Sequence, residues 1–252
     1  PPEEIETLFA AASEEINEVI GRMDRNYDND REYAFETGLL ARLLLSAVIE
    51  GDRCDTAAFQ IDAHPRVWPE DMAPIWKDRL EYLEEKLQEF PCGTPVEKAR
   101  HAISDQCRVF AENKPGIYRL NVPTGGGKTL SSLRYALAHA MYFRKSRLIF
   151  TSPLLSILEQ NAAVIHQYVG DDSLILEHHS NVVQTEPAQG ELDERELLVQ
   201  SWNAPIIITT LVQLLNTLFD GRTTAIRRFQ ALCSSVIVID EVQTVPVKML
   251  TL

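Results

Sequence analysis

From residue 117 onward, short apolar runs alternate with helix-length stretches, and few folds accept that rhythm. The runs are 117–122 (IYRLNV), 147–152 (RLIFTS), 173–177 (SLILE), 205–210 (PIIITT) and 235–240 (SVIVID). Residues 128–143, 153–169, 192–202, 211–220 and 223–233 between and beside them read as helices. Strand and helix in alternation build a parallel sheet with helices on both faces. Strands covered on both sides read as continuous apolar runs, as these do. The expected class is therefore α/β.

The first ninety or so residues read differently, as an all-α segment. Ile5, Leu8, Phe9, Ala12, Ile16, Val19 and Ile20 recur at helical spacing. A second helix over 31–50 is apolar on more than one face, which predicts deep burial. Gly51-Asp52-Arg53-Cys54-Asp55-Thr56 is expected to end it, with Asp55 as a cap or one of these Asp as a metal ligand. Pro65, Pro69 and Pro74, set among Trp68 and Trp76, read as an ordered linker. A helix over about 75–90 follows. Another opens at Thr94-Pro95-Val96-Glu97, a capping box with proline in the first turn, and stops before Pro115-Gly116.

Charge follows the same division. Residues 1–100 carry 23 acids and 11 bases, residues 101–252 carry 14 and 13, and the whole chain has net charge −13. That disfavours gripping nucleic acid by bulk charge but leaves a local basic groove open. Cys54, Cys92, Cys107 and Cys233 form neither a zinc pattern nor a disulfide framework, so reduced thiols and a cytoplasmic location are expected. No apolar run reaches the length of a membrane span. The start, Pro1-Pro2-Glu3-Glu4, has no initiator Met and no signal-peptide character, which points to a piece of something longer.

The strongest chemical signal is Val122-Pro123-Thr124-Gly125-Gly126-Gly127-Lys128-Thr129, between the first run and the first helix. Thr124 and the glycines can turn backbone N–H groups around a phosphate, and the following helix start favours the anion. Lys128 would reach the β and γ phosphates of ATP, and the Thr129 hydroxyl would bind Mg²⁺. Val122 stands where the strict phosphate-loop pattern has its first glycine, and the shorter form present here is the one seen in helicase motors. The second signal is Val236-Ile237-Val238-Ile239-Asp240-Glu241, a buried strand ending in two carboxylates. Asp240 would hold Mg²⁺, and Glu241 would orient and deprotonate water.

Weaker signals lie at other strand ends. Thr151-Ser152 and Thr209-Thr210 could bind a phosphate backbone without reading sequence, or simply cap the next helices. His178-His179 is expected on a loop near the nucleic-acid face. Gln106, Arg100 and Tyr118 are candidates for reading an adenine.

These residues together resemble the CRISPR-associated helicase–nuclease of type I systems, an HD-type metal nuclease fused to a superfamily 2 DExD/H-box helicase. The carriers are GIYRLNVPTGGGKTLSSLRYALAHA (116–140), SPLLSILEQNAA (152–163), LEHHSN (176–181) and VIVIDEVQ (236–243). The resemblance implies a RecA-like phosphate-loop sheet, with the chain divided into 1–60 (end of the HD domain), 61–93 (linker and connecting helix) and 94–252 (first RecA-like domain, truncated). It implies Thr151 and Ser152 in motif Ia, Thr209 and Thr210 in motif Ic, both on single-stranded DNA, and Gln243 closing motif II. It places Asp52 at the last carboxylate of the nuclease metal site, with Glu50 where another Asp is expected. It also implies 3′ to 5′ translocation and recruitment by a CRISPR RNA-guided surveillance complex.

Two departures qualify it. Residues 1–51 contain no His, so the transition-metal ligands upstream of Asp52 are missing and this chain should not cut DNA by that mechanism; the nuclease metal belongs to the intact parent. The sequence also runs only nine residues past Gln243, short of motif III and a second lobe. An incomplete sheet edge, weak turnover and loose packing of residues 1–56 are expected. Three rivals stand beside this reading: another superfamily 2 DNA or RNA translocase, a nucleotide-binding remnant or interaction module without turnover, and a small-molecule kinase with the same phosphate loop.

Overall fold

The computed structural model describes residues 2–23, 30–61, 66–123, 125–179 and 201–244. Its centre is a four-stranded parallel sheet of β1 (Arg147–Ser152), β2 (Ile175–His178), β3 (Ile206–Thr210) and β4 (Ser235–Ile239), in the order β2-β3-β1-β4. Phe150 of β1 stands beside Ile208 of β3 and Val238 of β4, so the central strand is paired on both edges. This is the α/β architecture expected of a RecA-like domain.

Alternate side chains leave the sheet on opposite faces. Leu148, Phe150, Ile206, Ile208 and Val236 face one core. Against them pack α3 (Ala73–Gln88), α5 (Lys128–Tyr142) and α6 (Leu155–Val169), through Trp76, Leu83, Leu133, Leu137, Leu158 and Ile165. Ile149, Leu176 and Ile207 face a second, smaller core with Trp202 and Ala231. α4 (Pro95–Phe110) starts with the expected capping box: the Glu97 amide donates to Thr94 Oγ1 at 3.3 Å, and the Thr94 amide donates to the Glu97 carboxylate at 2.9 Å. Arg134 on α5 then ties three helices together, with bidentate bonds to Glu84 on α3 at 2.7 and 2.6 Å and one to Asp105 on α4 at 2.7 Å.

The N-terminal helices differ from one another. α1 (Pro2–Met23) leaves Ile5, Leu8 and Phe9 largely exposed. α2 (Asp30–Ile61) docks on α7 (Leu211–Phe219), α8 (Thr223–Arg227) and the 3-10 turn Phe229–Leu232. Arg42 donates to the carbonyls of Thr217 and Asp220, capping the end of α7 as a cation should. Ser46 Oγ donates to Arg227 O at 2.9 Å and accepts from Gln230 N at 3.1 Å, and Glu50 pairs with the buried Arg227.

Several expectations fail here. The second helix is not deeply buried: Phe35, Leu44, Leu45 and Val48 are exposed, because only the side of α2 around Ser46 and Ala57 packs against other elements. Residues 117–122 form no strand: Ile117 is fully exposed and Leu120 half so. Strand-forming residues become a strand only where a neighbouring edge completes their ladder. The outer edge of β4 has no ladder partner among the described residues, and Ile237 and Ile239 are 39% and 40% exposed, so β4 is not the buried strand expected but is covered on one face only. The second helix also does not end at Gly51 but continues to Ile61. A lone helical glycine costs about 1 kcal/mol against Ala, which the packing of Ser46 and Ala57 on either side offsets. The expected helix at 192–202 lies mostly outside the described residues.

Candidate functional site

Three elements converge at the C-terminal ends of β1 and β4: the glycine loop leading into α5, the middle of α6, and the Asp240-Glu241 pair. The loop has room for glycine alone. A Cβ on Gly126 would stand 2.4 Å from Val122 Cγ1 and 3.0 Å from Pro123 O. Gly127 holds φ at 80°, a left-handed turn that starts α5 directly at Lys128. The first amides of α5 have no intrahelical acceptor and are free to meet an anion. Gly125, Gly126 and Gly127 form this turn, within which the Gly126 amide donates to Pro123 O at 3.0 Å. Thr124 lies outside the described residues.

The structure brings Lys128 to both carboxylates across more than a hundred residues of sequence. Its ammonium lies 3.5 Å from Asp240 Oδ1 and 3.2 Å from Glu241 Oε1. Burial works against the Lys128 charge, yet hydrogen bonding and attraction from the two carboxylates outweigh it and hold its pKa above the usual lysine value. The Lys128 hydrogen bond, followed by one from Gln243, holds Glu241 below the ordinary carboxylate range. Asp240 continues the β4–β1 ladder by donating its amide to Thr151 O at 2.9 Å. Glu241 then turns sharply, with φ at 51°. A non-glycine residue held there stores backbone strain, which is commonest at functional turns.

Sequence reasoning missed Asn161. On α6, its Oδ1 accepts from the Thr129 hydroxyl at 2.9 Å, and its Nδ2 donates to Asp240 Oδ2 at 3.4 Å. A single Asn inside a helical run has no pattern to single it out, although it lies within SPLLSILEQNAA. Of the three adenine-reading candidates, Arg100 reaches the loop, donating from Nε to Gly125 O at 2.8 Å. Gln106 is exposed on α4, and Tyr118 packs edge-on against Phe110.

The four hydroxyls at the strand ends are mostly turned inward. Thr151 Oγ1 donates to Val238 O at 3.3 Å, and Thr209 Oγ1 donates to His178 O at 2.8 Å. Ser152 is fully buried, and its hydroxyl has no partner among the described residues. Thr210 is half-buried and caps α7, accepting from Gln213 N at 3.3 Å.

His178 and His179 are not on a solvated loop: His178 is the last residue of β2 and both are buried. His178 Nδ1 accepts from Trp202 Nε1 at 2.9 Å and meets the Arg228 guanidinium at 3.2 Å. Burial first, then the charge of Arg228 and the neighbouring His179, press its pKa down to about 4. His179 Nε2 lies 3.0 Å from Glu177 Oε2. An alternating apolar pattern would have revealed this burial, but SLILEHH ends in residues that read as polar.

Asp52 sits exposed on α2, where its carbonyl accepts from Thr56 Oγ1 at 2.8 Å. Glu50, two residues earlier and so on another side of the helix, is engaged by Arg227. Among the described residues, no three His, Cys, Asp or Glu side chains come together in a way that could hold a metal ion. No helix among them is long and apolar enough to cross a membrane.

The residues present at the glycine loop fit a nucleotide phosphate with its cation. The loop turns too tightly at Gly126 for any Cβ, the space beside Gly125 and Gly127 is open but for Arg100, and the hard oxygens of Thr129 and Asp240 suit Mg²⁺. A comparison with the curated proteins returns no match. The DEAD/DEAH box helicase family matches residues 97–249, a span that takes in the glycine loop, α6, the sheet and the Asp240-Glu241 turn. The chain belongs to the DEAD/DEAH box helicases, superfamily 2 motors that use ATP to act on nucleic acid.

Proposed function

We propose that this chain is the ATP-binding lobe of a type I CRISPR-associated helicase–nuclease, moving 3′ to 5′ on single-stranded DNA after recruitment by an RNA-guided surveillance complex. Residues 94–252 are its first RecA-like domain, 61–93 the connecting segment and 1–60 the end of an HD-type domain in which Asp52 is a metal ligand of the longer protein. The motif set from Gly116 to Gln243 supports the family assignment. The observation that carries the motor reading is the Lys128 ammonium lying between Asp240 and Glu241.

That arrangement suggests a sequence of exchanges. Gly125, Gly126, Gly127 and the first turn of α5 receive the phosphates, and Lys128 leaves its carboxylates for the stronger charge of the β and γ phosphates. Thr129 and Asp240 would hold Mg²⁺, which would neutralise phosphate charge there. Glu241, freed of Lys128, becomes the acceptor for the proton of the attacking water. Its link to Gln243 gives the strand contacts a route to the base. On the DNA side, half-buried Thr210 is the strand-end residue open to the phosphate backbone, while Thr151, Ser152 and Thr209 are buried behind it and support it from within the sheet.

The test is binding of a labelled single-stranded DNA oligonucleotide, compared with duplex DNA and RNA of the same sequence, with and without ATP and Mg²⁺. The expected result is preference for single-stranded DNA and an ATP-dependent change in affinity that Lys128→Ala removes. Equal binding of RNA moves the chain to another superfamily 2 branch. Association with a guide-RNA complex only when that complex holds target DNA supports the CRISPR assignment, and indifference to it contradicts that assignment.

A further inference from the structure

We propose that Asn161 is a positioning residue for the metal–nucleotide complex, setting Thr129 and Asp240 as a pair of ligands; this rests on the phosphate-loop reading above. An amide side chain has one end that only accepts and one that only donates. Asp240, an acceptor, fixes which end faces it: Nδ2 points to Asp240 Oδ2 at 3.4 Å, so Oδ1 must face Thr129 at 2.9 Å. The Thr129 hydroxyl therefore spends its hydrogen on Asn161, and both of its oxygen lone pairs stay free for a cation. Asp240 Oδ1 is held separately by the Glu241 amide at 3.0 Å, so the two bonds fix the carboxylate plane.

The support is rigid. Asn161 is half-buried on α6, beside Leu158, Ala162 and Ile165, which are packed into the sheet core. Both ends of its amide go to residues on other elements, α5 and the end of β4, that approach each other only in the folded chain. Hydrogen-bonded partners behind metal ligands commonly govern metal affinity by about 10- to 100-fold.

The experiment titrates the 252-residue chain with a fluorescent ADP analogue, once with Mg²⁺ and once with EDTA, and takes the ratio of affinities. Asn161→Ala is expected to cut the Mg²⁺ advantage by about tenfold while leaving the affinity in EDTA within about twofold. Asn161→Leu keeps the bulk of the side chain without its polar ends and favours the helix more than Asn does, and is expected to match Asn161→Ala in the Mg²⁺ ratio with no fall in unfolding midpoint. Adding Asn161→Ala to Thr129→Ala should cost less than adding it to the wild type, because part of its action passes through that hydroxyl. A wild-type ratio in both variants, or equal losses with and without Mg²⁺, overturns the proposal. Absence of Mg²⁺-dependent binding in the wild-type chain overturns the phosphate-loop reading along with it.

Discussion

The two ends of the sheet's C-terminal edge use polar groups in opposite ways. At β4, the charged Lys128, Asp240 and Glu241 and the neutral Thr129 and Asn161 are half-buried and bonded chiefly to one another. At β2 and β3, His178, Trp202, Thr209 and Arg228 are buried and bonded to the surrounding protein: Arg228 reaches Gln213 at 3.0 Å and Thr224 O at 3.0 Å. The first set can exchange its partners for a ligand at little cost. The second set cannot, because each buried polar group it released would go unpaired. One end is built to change and the other to hold its shape, so substitutions should separate the two by what they damage.

The largest effect is expected at the second end. Trp202 is fully buried, and Trp202→Ala should lower stability by about 4 kcal/mol, read as a shift in urea midpoint. Next comes pH. His178 is held near 4 when folded and sits near the ordinary value when unfolded, so between about pH 6.5 and 4 the unfolded chain binds the extra proton. Its contribution is complete above pH 6.5 and is lost as pH falls towards 4, by about 3 kcal/mol at most. His178→Asn should flatten that part of the stability–pH curve, and an unchanged slope would place the titration elsewhere.

At the first end the order reverses. Lys128→Ala should weaken ATP binding by about 10- to 100-fold, as expected for lost bonds to a charged group, yet move the unfolding midpoint little. A stability loss rivalling that of Trp202→Ala would break the comparison. The smallest effect is at Thr210, between the two sets: Thr210→Ala removes a helix cap worth about 1 kcal/mol, with a modest further loss of DNA affinity.

The contrast also explains what was legible in the sequence. Lys128 and the glycines stand out because a phosphate loop has fixed spacing along the chain, and Asp240 and Glu241 because two carboxylates end an apolar run; the structure sets them side by side. β1 matched its apolar run residue for residue and β3 nearly so, because doubly covered strands leave continuous apolar signatures; β4 matched its run closely too, although Ile237 and Ile239 lie exposed on one face. The failures share a cause in tertiary context. The run at 117–122 has strand-forming residues but joins no ladder, although the outer edge of β4 has no partner among the described residues. Gly51 looks like a helix stop, yet α2 continues because the packing around Ser46 and Ala57 outweighs its preference. Asn161, and the burial of His178 beside Trp202 and Arg228, depend on segments distant in sequence, and nothing local encodes such meetings.

The central claim is that the glycine loop, Lys128 and the Asp240-Glu241 turn form one Mg²⁺–ATP site. Calorimetric titration of the chain with ATP and Mg²⁺, repeated on Lys128→Ala, tests it most directly. The account predicts saturable binding at one site per chain, weakened at least about tenfold by Lys128→Ala with thermal unfolding unchanged. Equal binding by the two proteins, or none by the wild type, would contradict it.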